Sequence, residues 1–416
     1  METVFTMCFL LIAIYCIKDR EKVILLIALN YLATLLMQWY GFDFGINILF
    51  MMAYPLDILN ALLLFLLLLS VLKSKKIVLR KSIIYINFLC FTSIIFCQAI
   101  LGFLTYGASA DFFGDFRKFS GVIIPILYFS QNPIEFDSIY SKNVIRYTMN
   151  GIVAFCYIYW LLYWTIGYDF GAVEASMRCF HSDAATIVAL YTIYLIYDDI
   201  VNKNTMSLRT IIFIIAIILL QHNSVYMVLM SGTVIILFYY REKIFGKKKF
   251  LFEILLLSFT VICIGVIFSG SEISKNLLKT FSKFGEARTS GEGTIGTRYA
   301  IWGAAISSLK NPLEWIFGKS LGSGYHVRYL GNAWAASPHS GYIECLMRSG
   351  ILGAITFFGT ILGTIIINLK KKKILNVALI IAILFYWFPY SYTIEVSALL
   401  GTIMTYKSAR NKIIKN

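Results

Sequence analysis

The chain has 416 residues, of which 59% are hydrophobic and only 14% charged, and its mean hydropathy is +0.76. A soluble domain carries about 45–50% apolar and about 25% charged residues, so this chain lacks the polar surface to cover a water-soluble core of its size. Its net charge of +15, from 37 basic against 22 acidic residues, reads as loops on the cytoplasmic side of a membrane rather than as a nucleic-acid surface.

Apolar runs fall near 3–17, 23–40, 46–72, 83–106, 116–131, 148–168, 184–197, 210–221, 224–240, 250–269, 350–369, 374–391 and 394–406. In lipid each run must satisfy its own backbone, so each reads as a helix. The expected fold is an all-α polytopic membrane protein with about 12–14 spans, each needing about 20 residues. The run at 116–131 is short and interrupted by Pro125. The first run has no basic segment before it and is followed by Lys18, Arg20 and Lys22, so it does not read as a cleavable signal peptide. Cys8, Cys16, Cys90, Cys97, Cys156 and Cys263 lie within apolar runs, where cysteine behaves as a small hydrophobe, and no CxxC or metal spacing occurs.

Alternating sides gathers the basic segments 18–22, 73–81, 142–146, 203–209, 241–249, 370–373 and 407–415 on one face, which the positive-inside rule makes cytoplasmic. The other face receives short turns near 40–45 and 107–117, a loop at 168–183, the turn Gln221–Asn223, a long insertion at 270–339 and a last turn near 390–395. Three regions follow: helices and short loops over 1–269, one large periplasmic loop over 270–340 containing short helices, and C-terminal helices over 341–416. His181, His222, His326 and His339 all fall on the outer face, with Arg117, Arg178, Arg298 and Arg328. Arginine on the translocated side works against topology, so several there point to function.

Within the long loop, Tyr299, Trp302, Ile306 and Leu309 have helical spacing over 297–310, and Asn311-Pro312 stops that helix. The stretch Gly318–Gly324 is glycine-rich but lacks the register of a phosphate-binding P-loop. His339 stands where the next helix enters the membrane near Gly341, and a histidine there exchanges a proton near neutral pH. Arg298 offers a planar fork of donors for phosphate oxygens. Arg348, nine residues after His339 and inside the re-entering helix, is costly in lipid unless paired or lining a cavity, and Glu344 is its partner by spacing. Tyr325, Trp315 and Trp334 are candidates for stacking on sugar rings.

The order Arg298, Trp302, Pro312, Gly322, Gly324, His339, Tyr342 and Gly350-Ile-Leu-Gly353 resembles the loop-and-helix segment of the bacterial O-antigen polymerase and O-antigen ligase superfamily. The turn Leu220-Gln-His-Asn-Ser-Val-Tyr226 resembles a second segment of that superfamily. Asn223 stands where the ligases often carry arginine, and Ser340 where asparagine is usual.

The resemblance implies a membrane-embedded, GT-C-like inverting glycosyltransferase that needs no metal or other cofactor. Its donor and acceptor would be undecaprenyl-pyrophosphate-linked glycans, on the periplasmic face of a bacterial inner membrane. In agreement, no Asp-x-Asp metal clamp occurs in the chain. His339 is the expected catalytic base. Arg298, Arg178 and Arg117 are the expected pyrophosphate ligands, and His222, Asn223, Tyr342, Glu344 and Arg348 the expected substrate contacts. Membrane lipid is a partner, nucleic acid is not, and a chain-length regulator is compatible with the reading. The departures at Asn223 and Ser340 favour a polymerase. The alternatives are an O-antigen ligase, which uses lipid A–core as acceptor, and a flippase with no chemistry of its own, against which the absence of internal repeats argues.

Overall fold

The computed structural model describes residues 2–48, 51–74, 83–134, 138–166, 179–220, 222–245, 293–327, 333–335 and 337–404. The helices among them are α1 (Glu2–Cys16), α2 (Val23–Tyr40), α3 (Pro55–Ser74), α4 (Ile83–Tyr106), α5 (Ala110–Gln131), α6 (Ile139–Ile166), α7 (Ser182–Asp198), α8 (Leu208–Leu219), α9 (Asn223–Tyr239), α10 (Arg241–Phe245), α11 (Gly293–Ser307), α12 (Pro312–Phe317), α13 (Gly341–Lys370), α14 (Ile374–Trp387) and α15 (Ile394–Ile403). Two small antiparallel hairpins accompany them, β1–β2 (Ile46–Ile48, Met51–Ala53) and β3–β4 (Tyr325–Val327, Ala333–Ala335). The apolar run at 250–269 and the whole 270–292 stretch lie outside the described residues.

Four described helical segments are long and apolar enough to cross a bilayer: Pro55–Leu72, Ile83–Tyr106, Ser182–Lys203 and Gly341–Lys370. Their outward faces carry residues such as Phe96, Leu104 and Ile355, each more than 60% exposed. Large apolar surface of this kind fits a lipid environment. The chain is a multi-pass, all-α membrane protein. α4 packs along α13, α14 along α9, and α15 along α5, around a core that includes Phe88, Phe91, Phe357 and Trp387.

Several boundaries differ from the sequence reading. The run at 46–72 is not one helix: β1–β2 occupies its first part and Pro55 opens α3, where its missing N–H costs nothing. The Asp57 carboxylate accepts from the Tyr54 N–H at 2.9 Å and so caps that start. Pro125 does not interrupt α5, which runs unbroken through it. α11 already ends at Ser307, and Asn311-Pro312 begins the next helix, the Asn311 side chain accepting from the Glu314 N–H at 2.9 Å. α13 starts at Gly341, where the sequence reading put the entry of the helix, and takes in nine residues before the apolar run at 350–369.

Gly350 gives α13 a non-helical residue, with φ of 64°. α12 crosses there so closely that a Cβ on Gly350 would meet the Ile316 backbone at 2.3 Å. Gly318, with φ of 82°, faces the Arg348 backbone in the same way. The Gln98 side-chain amide on α4 donates to the Phe317 and Gly318 carbonyls, and the Lys319 N–H donates to Met347 O at 2.7 Å. The 317–324 stretch is therefore strapped onto α4 and α13.

A candidate polar site at one end of the helix bundle

The N-termini of α5, α7, α9, α13 and α15 meet the C-terminus of α14 at one end of the bundle. Tyr390, just past α14, joins several of them. Its carbonyl accepts the Gly341 N–H at 2.8 Å and its hydroxyl accepts from Ser224 Oγ at 3.0 Å. The basic segments Lys203–Arg209 and Lys370–Lys373 terminate helices at the opposite end.

The Arg298 guanidinium lies over the Tyr390 ring, 5.0 Å from its centre, a cation–π contact. His181 meets the same ring edge-on with centroids 6.3 Å apart. α11 is tied to the histidine-bearing segment because Trp302 Nε1 donates to the Pro338 carbonyl at 2.9 Å. Trp302 also packs edge-on against Phe388, past the end of α14.

His339 is exposed and has φ of 51°. A non-glycine residue in this region costs energy, and such residues gather at functional sites. The surrounding walls strip enough water from the imidazole to hold its pKa below the usual histidine value. Lys118 and Arg298 push in the same direction, while Glu344 and Asp183 oppose them. Arg298 is thus within electrostatic reach of His339, although 41 residues separate them in the chain.

Beneath His339, Glu344 is 1% exposed. Its Oε1 accepts from Lys118 Nζ at 2.8 Å and from Ser337 Oγ at 3.3 Å, and its Oε2 accepts from Ser391 Oγ. The Ser337 hydroxyl in turn accepts the His339 N–H at 3.4 Å. The pairing of Arg348 with Glu344 expected from spacing does not form. Arg348, 0% exposed, is salt-bridged to Asp115 at 2.5 Å and donates to Ser320 O at 2.9 Å and to Ser323 O at 2.6 Å. Asp115 also accepts the Gly322 N–H at 2.8 Å. Long-range partners on α5 thus outcompete the neighbour one turn away.

The other expected contacts divide. Arg117 lies within α5 rather than in a turn, and is engaged by Asp57 at 2.9 Å and by the Met52 carbonyl at 2.5 Å. It braces the β1–β2 hairpin. Glu344 and Arg348 are buried, and the partners just described are protein groups. His222, 7% exposed, places Nε2 2.9 Å from the Phe180 carbonyl at the start of α9. Asn223 is the first residue of that helix. Tyr342 donates its hydroxyl to Leu384 O at 3.0 Å and stacks on Phe358. Arg178 lies outside the described residues. Tyr325 is buried, which removes it as a sugar platform, whereas Trp334 is 54% exposed.

Sequence reading missed Lys118, Tyr390, Ser391 and Asp183. The polar pair Arg117-Lys118 inside an otherwise apolar run was the available signal for the first. Tyr390 and Ser391 lay in a turn already assigned to the outer face.

Residues 208–358 match the family model described as O-antigen ligase. The match bears out the resemblance to the O-antigen polymerase and ligase superfamily, whose members are membrane enzymes acting on lipid-linked glycans. It spans His222, Arg298 and His339 but stops short of Tyr390 and begins after Lys118. No curated protein matches the chain.

Proposed function

We propose that the chain is an O-antigen polymerase, an inverting glycosyltransferase that joins undecaprenyl-pyrophosphate-linked repeat units on the periplasmic face of a bacterial inner membrane. The observation that carries this reading is that Arg298 lies over Tyr390, and Trp302 of the same helix is bonded to Pro338 beside His339, at the polar end of the bundle opposite the basic segments. In this reading residues 1–269 and 341–416 form the GT-C-like membrane body, and 270–340 forms the loop over the site.

A ring nitrogen of His339 takes the proton from the acceptor sugar hydroxyl as that oxygen attacks the anomeric carbon. A new C–O bond forms and the bond to the donor's pyrophosphate breaks with inversion. The departing undecaprenyl pyrophosphate carries the electron pair, and Arg298 meets its charge, with Arg178 as a second cation. The lowered pKa of His339 serves this role, since only the neutral imidazole accepts a proton. The exposed Trp334 is placed to pack on sugar rings above the site.

The ligase reading is the second one, favoured by the description of the matching family model. The two differ in acceptor. Purified protein supplied with synthetic undecaprenyl-pyrophosphate repeats makes longer lipid-linked chains if it is a polymerase. It transfers only onto added lipid A–core if it is a ligase. Passage of intact substrate across liposomes with no new linkage contradicts both.

A further inference from the structure

We propose that Lys118 and Glu344 are positioning residues for His339, a charge pair whose inward carboxylate fixes the backbone carrying the imidazole and whose two charges act on that ring in opposite senses. The inference rests on the reading of His339 as the base but does not need that reading for its test. Three observations carry it.

The first is connectivity. Glu344 receives Lys118 from α5, Ser337 from the segment before His339 and Ser391 from the segment after α14. One carboxylate thereby locks three parts of the chain, and Ser337 passes the restraint to the His339 N–H. The second is backbone conformation. A φ of 51° at a non-glycine residue persists only where its surroundings over-determine it, and the Glu344 cluster supplies part of that constraint through Ser337, two residues before His339.

The third is charge. Glu344 is 1% exposed and Lys118 27%, so the carboxylate is sealed inward and the ammonium stands toward the mouth. The charged groups acting on the imidazole are Lys118 from α5, Glu344 from α13, Arg298 from α11 and Asp183 from α7. Lys118 is the strongest of the two cations there, and Glu344 offsets it. Removing Lys118 takes away a positive neighbour and leaves Glu344 uncompensated, and both changes favour the imidazolium. Removing the Glu344 charge does the reverse.

The test uses the full chain in lipid nanodiscs with isotope-labelled histidine, the His339 signal being the one absent from His339→Ala. Lys118→Gln should raise the His339 titration midpoint by about half a pH unit or more, and Glu344→Gln should lower it. Lys118→Arg should keep the wild-type midpoint. Opposite shifts separate charge tuning from simple loosening, which would move both variants the same way toward the ordinary histidine value. If Glu344→Gln does not fold, Lys118→Gln and Lys118→Met set against Lys118→Arg carry the test alone. An unchanged midpoint in Lys118→Gln, or shifts of one sign in both variants, overturns the proposal. A wild-type protein that titrates as described but forms no glycosidic bond overturns the proposed function and leaves this inference standing.

Discussion

Arg348 on α13 and Asp115 on α5 meet at 2.5 Å with each side chain only 1% exposed. The pair also organises the glycine-rich stretch before β3, because Arg348 donates to Ser320 and Ser323 while Asp115 accepts from Gly322. Removing one member of a buried pair leaves an uncompensated charge, at a cost of about 3–5 kcal/mol. Arg348→Ala and Asp115→Ala should each lower the thermal midpoint of the detergent-purified protein sharply. Replacing both together with apolar residues of similar volume should recover much of the loss. Single variants that melt with the wild type would contradict this bracing role.

Gly350 and Gly318 test the crossing of α12 over α13. Both have positive φ, and a Cβ on either would fall within 2.4 Å of backbone atoms on the other segment. Gly350→Ala and Gly318→Ala should therefore loosen α12 even though only one methyl group is added. Faster proteolysis near 312–324 than in the wild type is the expected result. Gly303→Ala, where the added Cβ has open space, is the control and should behave as wild type.

How much of this was legible beforehand depends on the range of the contact. Apolar runs located most helices, since lipid imposes one requirement on every span. The order of Arg298, Trp302 and His339 pointed to the candidate site because those residues sit in one continuous stretch. The Glu344–Arg348 pairing failed because helical spacing ranks only neighbours on the same helix. It cannot rank Asp115, 233 residues before Arg348, or Lys118, 226 residues before Glu344. The ion pair of Arg117 was hidden for a related reason: its position near an outer turn was visible, but its partner Asp57 belongs to another helix. Tyr390 gains its place from three-dimensional packing against Arg298, His181 and Ser224.

Arg298 should tolerate replacement only by a group that keeps both charge and shape. Arg298→Ala should cut the transfer rate by about 10²–10³-fold, the usual effect of losing one group that stabilises developing charge. Arg298→Lys should recover part of the rate, since the charge remains but the planar stack on Tyr390 is lost. Tyr390→Leu should resemble the lysine variant, as it leaves the charge and removes its platform. Single-turnover rates with a fixed donor concentration check all three.

The pH profile carries its own sign. A base acts when deprotonated, and burial together with Lys118 and Arg298 holds His339 below the ordinary histidine value. Activity should therefore persist as pH falls past about 6.5 and decline only below it. An acid limb centred above that value would show that the ring is not held neutral as described. Transfer rates between pH 4.5 and 8, with protein integrity checked at each point, make the comparison.

The most direct measurement gives purified wild-type protein and His339→Ala the same synthetic undecaprenyl-pyrophosphate repeat units and follows the length of the lipid-linked product. Wild type should build longer chains, while His339→Ala, equally well folded in the membrane, should be slower by about 10²–10⁴-fold. Chain growth at the wild-type rate in His339→Ala, or no new glycosidic bond from the wild type with any lipid-linked acceptor, would contradict the account.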